Sequence, residues 1–204
     1  MIRIHATMQS INAYKVRLLL ELLDVAYEVV DIDMYGGEHK REPFLTLNPF
    51  GQMPALEDGD FHIGDSHACL VYVARKFDAS NRWLPVGARA EARVAEWLSK
   101  SANEVHHGPW MKRAKIRRPD AISLSDEEID ARCDNILALM NAYLGRARWL
   151  AAAHPTIADI SCFGPISLLD VSGYDTGRWA NVVSWMSRIR ALPGAIDIEG
   201  RPFA

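Results

Sequence analysis

The 204-residue chain carries few cysteines, three in all. Cys69, Cys133 and Cys162 stand far apart, with no C-x-x-C pair and no metal-ligand spacing. A disulfide framework, a dithiol redox motif and a zinc site therefore have no foundation, and the three read as reduced thiols in a core. Long apolar runs are missing as well. No stretch approaches the roughly 20 residues that cross a bilayer, and Met1-Ile2-Arg3-Ile4-His5 lacks the basic-then-apolar order of a secretory leader. The expectation is a soluble, cytoplasmic protein. Positive charge is not in excess: 23 Lys+Arg against 26 Asp+Glu leave a formal charge of −3. Such a balance supplies no field to hold a phosphate backbone and argues against nucleic-acid binding. What is present, 49% hydrophobic and 24% charged residues, is the composition of a folded globular chain.

Two grammars follow one another along the chain. Up to about Phe77, short apolar runs alternate with helical patterns. Met1 to Ala6 and Tyr27 to Ile32 read as strands, and Val16, Leu19, Leu20 and Leu23 between them recur at helical spacing. A strand, helix, strand order predicts a parallel pair joined by a crossover. Asp58-Gly59, set between Pro54-Ala55-Leu56 and Phe61-His62-Ile63, predicts a hairpin, followed by a helix from Asp65 to Phe77. After the polar joint Asp78-Ala79-Ser80-Asn81-Arg82 the strand signals stop. Helical patterns run from Ala88 to Ala114, Ser125 to Arg146, Thr156 to Asp170 and Arg178 to Ala191. Gly108-Pro109 is expected to kink or break the first, since proline lacks a donor and clashes with the preceding turn. The reading is an α/β domain over residues 1–78 and an all-α bundle over residues 86–204.

Four features of the first domain carry chemistry, each with a plainer alternative. Ser10 and Asn12 lie in the loop between the first strand and first helix, where ligands gather in open α/β sheets; either residue also serves as a helix cap. Asn48-Pro49-Phe50-Gly51-Gln52-Met53-Pro54 leads into the third strand. A cis bond before Pro54 would present the Met53 backbone as a docking edge, whereas a trans proline would simply open the strand. Asp65 and Ser66 start a helix and can hold an amine and a carboxylate, or only cap it. His39-Lys40 can pair with a second carboxylate, or form a solvated face.

The order of these features resembles the glutathione-binding domain of a glutathione S-transferase, serine-type and bacterial in style. The stretch from Gly37 to Phe77 is most similar to the phi class. The resemblance implies a thioredoxin-like N-terminal domain followed by an all-helical C-terminal bundle. It also implies glutathione as co-substrate, a small hydrophobic electrophile as second substrate, and a homodimer, with Phe50 a candidate for insertion into the partner. Residue by residue, Ser10 matches the catalytic serine, with Asn12 a second possible donor. Asp65 and Ser66 match the grip on the γ-glutamyl end, Gln52 and Met53 the hold on the cysteinyl backbone, with Pro54 as the cis proline. His39 and Lys40 match the glycyl-carboxylate contacts. Asp65 departs from the pattern by one methylene, glutamate being usual, and Gln9 stands where a small residue is common. Thr156-Ile157-Ala158-Asp159 resembles the family's buried capping motif, whose role is folding.

The electrophile is expected between the domains, beside the stretch holding Asn103, His107, Trp110, Met111 and Arg113. Trp110 and Met111 would form an apolar wall and Arg113 would receive an anionic group; a plain amphipathic helix is the alternative. His106 and His107 point to different sides of a helix, so no metal site is expected. Two other functions fit the same pattern: a glutathione-dependent disulfide oxidoreductase, and a non-catalytic binding module that keeps the fold.

Overall fold

A computed structural model describes residues 1–203. The chain divides into two compact units, Met1–Asn81 together with the chain from Leu192 onward, and Arg82–Ala191. The helical pattern left everything after residue 86 in the second domain. The last stretch instead clusters with the first unit, because its backbone carbonyls meet donors on the first helix, as described below.

In the first unit four short strands, β1 (Ile2–His5), β2 (Tyr27–Val30), β3 (Ala55–Asp58) and β4 (Phe61–Gly64), form one sheet in the order β2-β1-β3-β4. β1 and β2 are parallel, as the crossover requires, with α1 (Ile11–Leu22) between them. β3 pairs antiparallel with both β1 and β4. The hairpin closes over Gly59-Asp60, where Asp58 faces Phe61 and Gly59 takes φ 66°, a conformation glycine adopts without penalty. α1 and α3 (Ser66–Phe77) pack against each other. Val16, Leu18, Leu19 and Leu20 of α1 and Cys69, Leu70 and Val73 of α3 are wholly buried. Short α2 (Phe44–Leu47) lies against the β3–β4 end, with Phe44 in a small core beside Ile32 and Ala55.

The second unit is helical: α4 (Ala88–Lys100), a π-helical stretch Ser101–Trp110, α5 (Met111–Arg117), α6 (Asp126–Leu144), α7 (Ile157–Ile166) and α8 (Ala180–Arg190). The expected break at Gly108-Pro109 is not there. Helical backbone continues from Ala88 to Arg117, and the widened π turns take in the proline that an α-turn would exclude. Gly108 explains the close approach on one side: a Cβ there would lie 3.0 Å from the Cys133 backbone nitrogen on α6. Capping boxes open α6, through Ser125 and Glu128, and α7, through Thr156 and Asp159. All three cysteines are free and buried. Among the described residues, no helix is long and apolar enough to cross a membrane.

Candidate functional site

The strand registers bring the sequence-predicted residues of the first unit to one end of the sheet. His5 at the end of β1 lies opposite Ala55 at the start of β3, and Ala55 lies opposite Gly64 at the end of β4. The loop to Ser10 leaves β1 there, Met53-Pro54 enters β3 there, and Asp65-Ser66 follows β4 there. The bond before Pro54 is cis.

Ser10 is half-buried and caps α1, its Oγ accepting from the Ala13 N–H at 3.2 Å. Its own N–H donates to the Thr7 carbonyl at 2.9 Å, which closes the loop. The cap uses a lone pair and leaves the hydroxyl proton, for which no acceptor stands among the described residues. The first turn of α1 carries no acidic side chain, so nothing neutralises the positive end of the helix, where the N–H groups of Ile11 and Asn12 have no intrahelical acceptor. Asn12, half-buried, sits in that first turn.

Asp65 is exposed and caps α3, Oδ1 accepting from His67 N at 2.8 Å and Ala68 N at 3.1 Å. It holds φ 65°, ψ 126°, a left-handed conformation that costs a non-glycine residue on the order of 1–3 kcal/mol. Ser66, at the first position of α3, is 5% exposed.

His39 and Lys40 form a 3-10 turn, Glu38–Lys40, that meets the Gly51 backbone. Gly51 has φ 57°, and a Cβ on it would lie 2.9 Å from the His39 carbonyl and 3.0 Å from Lys40 Cδ. Gln52 is exposed and Met53 half-buried beside this contact. The segment depends on Asn48, which the sequence reading did not single out. Asn48 is 1% exposed, donates from Nδ2 to the Gln52 carbonyl at 2.6 Å and accepts at Oδ1 from Phe50 N at 3.2 Å. Its side chain also fills the space over Gly64, where a Cβ would collide with it. The sequence reading held Asn48 only as the first residue of the run into β3, and its burial, which obliges the amide to find partners, is visible only in the fold.

In the second unit, two of the five candidates for the electrophile line one cleft. Asn103 and His107 line a shallow cleft of about 390 Å³ together with Glu104 and, on α6, Arg132, Asn135, Ile136 and Leu139. His107 Nδ1 is 2.8 Å from the Asn103 carbonyl. Trp110, Met111 and Arg113 are partly exposed and are not part of that cleft. Trp110 stacks on His106, ring centroids 4.3 Å apart and 20° from parallel. No group of three or more His, Cys, Asp or Glu that could hold a metal occurs among the described residues.

Comparison with known proteins gives a consistent picture. Residues 3–75 match the family model "Glutathione S-transferase, N-terminal domain" and residues 106–192 match "Glutathione S-transferase, C-terminal domain". The chain is 31% identical over 191 residues to glutathione S-transferase F6 of Arabidopsis thaliana, covering 89% of this chain and 90% of that one. It is 42% identical over 165 residues to glutathione S-transferase APIC of Nicotiana tabacum, covering 78% of each. A solved glutathione S-transferase of Pseudomonas fluorescens superposes with a TM-score of 0.88 at 27% identity, over 97% of this chain and 98% of that one.

Proposed function

The chain belongs to the glutathione S-transferase family, and we propose that it binds glutathione, stabilises its thiolate through Ser10 and the N-terminus of α1, and adds it to a small hydrophobic electrophile. The observation that carries this reading is the Ser10 hydroxyl. It is anchored by the α1 cap, its proton is uncommitted, and it sits at the sheet end where cis-Pro54 and Asp65-Ser66 also lie.

The division of labour follows from chemistry. Asp65 takes the γ-glutamyl amine, and the Ser66 hydroxyl with the first N–H groups of α3 takes its carboxylate. Gln52 and the Met53 backbone hold the cysteinyl peptide beside Pro54, and His39 and Lys40 face the glycyl carboxylate. A thiol of pKa about 8.5 is roughly 3% ionised at pH 7, and lowering it two units requires about 2.7 kcal/mol. One hydroxyl donor, worth about 1.5–3 kcal/mol to a charged acceptor, with about 0.3–1 from the helix end, is enough. Because nucleophilicity falls with pKa, the gain in rate is only about threefold, and positioning of the electrophile supplies the rest. Asn12 is the second donor. Asn103, His107, Trp110, Met111 and Arg113 are the residues from which the electrophile's contacts are drawn, and substrate profiling of their variants chooses among them.

Ser10→Ala tests the reading. The apparent pKa of the bound thiol should rise by about one to two units and turnover at pH 6.5 should fall by up to about sixfold, while glutathione affinity changes less than about twofold. Equal loss of both would make Ser10 a shaping residue only. The same sample assayed with a low-molecular-weight disulfide separates the transferase from a disulfide oxidoreductase, and failure to bind glutathione would leave a binding module. We also infer a cytoplasmic homodimer with Phe50 at its interface: Phe50 is 79% exposed on the loop that Asn48 holds, and three buried thiols outside any disulfide suit a reducing compartment.

A further inference from the structure

Arg17 lies in the middle of α1 and is 1% exposed. Burying a guanidinium is expensive, and an apolar side chain of the same volume would fill the space without that cost. Its Nη2 donates to two carbonyls that come from opposite ends of the chain. One is Met8, at 3.0 Å, in the loop that delivers Ser10; the other is Ile198, at 2.6 Å, in the C-terminal segment. One turn earlier the buried Tyr14 hydroxyl donates to the Ile196 carbonyl at 2.8 Å.

The C-terminal segment is shaped to present those carbonyls. Asp197 Oδ1 accepts from Glu199 N and Arg201 N, both at 2.9 Å, and Asp197 N donates to the Arg201 carbonyl at 2.8 Å. Ile196 and Pro202 pair across this turn as an antiparallel bridge. Gly194, φ 82°, lets the segment approach α1: a Cβ there would lie 2.8 Å from the Glu21 carbonyl. The Met8 carbonyl falls inside the turn closed by the bond from Ser10 N to Thr7 O. Fixing the Met8–Gln9 peptide therefore fixes the direction from which Ser10 enters α1.

We propose that Arg17 and the C-terminal segment form one positioning unit for the Ser10 hydroxyl, so that thiol activation at the start of the chain depends on residues at its end. Arg17 is a positioning residue and touches no reacting atom. The inference rests on the assignment of Ser10 as thiolate donor.

The ionisable groups acting on Arg17 are Tyr14, Tyr27 and Asp197. Burial and Glu21 push Tyr27 up to about 12. Asp197 stays below the usual carboxylate range, its burial outweighed by the N–H groups of Arg201 and Glu199 and by the Arg201 guanidinium. Tyrosines and carboxylates ordinarily titrate outside about pH 6–9, so none of these groups titrates alongside the thiol, and it is the thiolate absorbance, with kcat/KM beside it, that identifies the bound thiol in that window.

The experiment follows the thiolate absorbance of bound glutathione, and kcat/KM, against pH in Arg17→Met, Arg17→Lys and Gly194→Val. Arg17→Met should raise the apparent thiol pKa by about one unit, about fivefold less thiolate at pH 6.5, with glutathione affinity within about threefold. Gly194→Val, which forces the segment off α1 without touching the Ser10 loop, should raise it by about half a unit or more. The double variant should exceed the larger single effect little, because both act through one contact. Arg17→Lys, which keeps the charge and one donor, should restore part of the shift. A folded Arg17→Met or Arg17→Lys with lowered Tm and an unmoved titration overturns the proposal, as does full additivity with Gly194→Val. If Arg17→Met does not fold, Arg17→Lys and Gly194→Val decide alone. Should Ser10→Ala leave the thiol titration unmoved, the Ser10 assignment itself falls. Should Ser10→Ala move it while the Arg17 variants do not, only the present inference falls.

Discussion

Capping and catalysis make different demands on the Ser10 side chain. The cap takes an acceptor lone pair, at 3.2 Å from Ala13 N, and thiolate stabilisation needs the donor proton. Both can be met at once, so the two readings of this serine do not compete. Asp65 is more committed, since Oδ1 serves two N–H groups of α3 and the side chain is a methylene shorter than glutamate. Asn48 supports the segment between these two sites. Replacing it with alanine removes bonds to Gln52 and Phe50 and leaves a gap over Gly64. Asn48→Ala should raise the KM for glutathione about tenfold with kcat within about twofold, and cost about 1–3 kcal/mol of stability. Steady-state kinetics alongside urea unfolding checks both halves, and an unchanged KM would reduce Asn48 to packing. The cysteines belong at this scale too: burial pushes Cys69 and Cys133 up to about 12, which keeps both as thiols and away from the chemistry.

Among the elements, α7 depends on a single carboxylate. Asp159 accepts from Leu150 N at 3.0 Å and Trp185 Nε1 at 2.9 Å through Oδ1, and from Thr156 N at 2.9 Å and Thr156 Oγ1 at 3.2 Å through Oδ2. All four residues are fully buried or nearly so. It therefore joins the start of α7 to α8 and to the chain before α7, and its removal strands several buried donors. Asp159→Ala should cost about 3–5 kcal/mol, a fall of roughly 10 °C in Tm. Calorimetry measures it; a loss below about 1 kcal/mol would mean that solvent fills the gap. The π-helical stretch shows the opposite dependence. Proline at position 109 would disrupt an α-helix, yet the register widens and the helical run continues to Arg117.

At the scale of the whole molecule, two compact units each have their own core, and the last stretch of the chain belongs with the first. An exposed phenylalanine on a held loop is costly to leave in water, and Phe50 is 79% exposed. If it sits in a homodimer interface, Phe50→Ser should weaken dimerisation about 30-fold or more, the loss expected of an aromatic anchor. Sedimentation at micromolar concentration reads the result. A dimer of unchanged affinity, or a monomeric parent chain, removes the interface assignment.

Residue order by itself determined the strand, helix, strand start, the hairpin at Asp58-Gly59, the helical second half and the cap at Thr156–Asp159, and it put Ser10, Met53-Pro54 and Asp65-Ser66 in loops at the ends of strands and helices. These are local: period, turn chemistry and caps act over a few residues, and the strand registers then carry local features to a common sheet end. Tertiary structure decided what depends on residues distant in sequence. It buried Arg17 against the Met8 and Ile198 carbonyls, returned the chain end to the first unit, set Asn48 over Gly64, and converted the Pro109 segment to a π register. Nothing local distinguishes a buried, carbonyl-bound arginine from a solvated one, because its partners are chosen by packing and by the need to pair every buried donor.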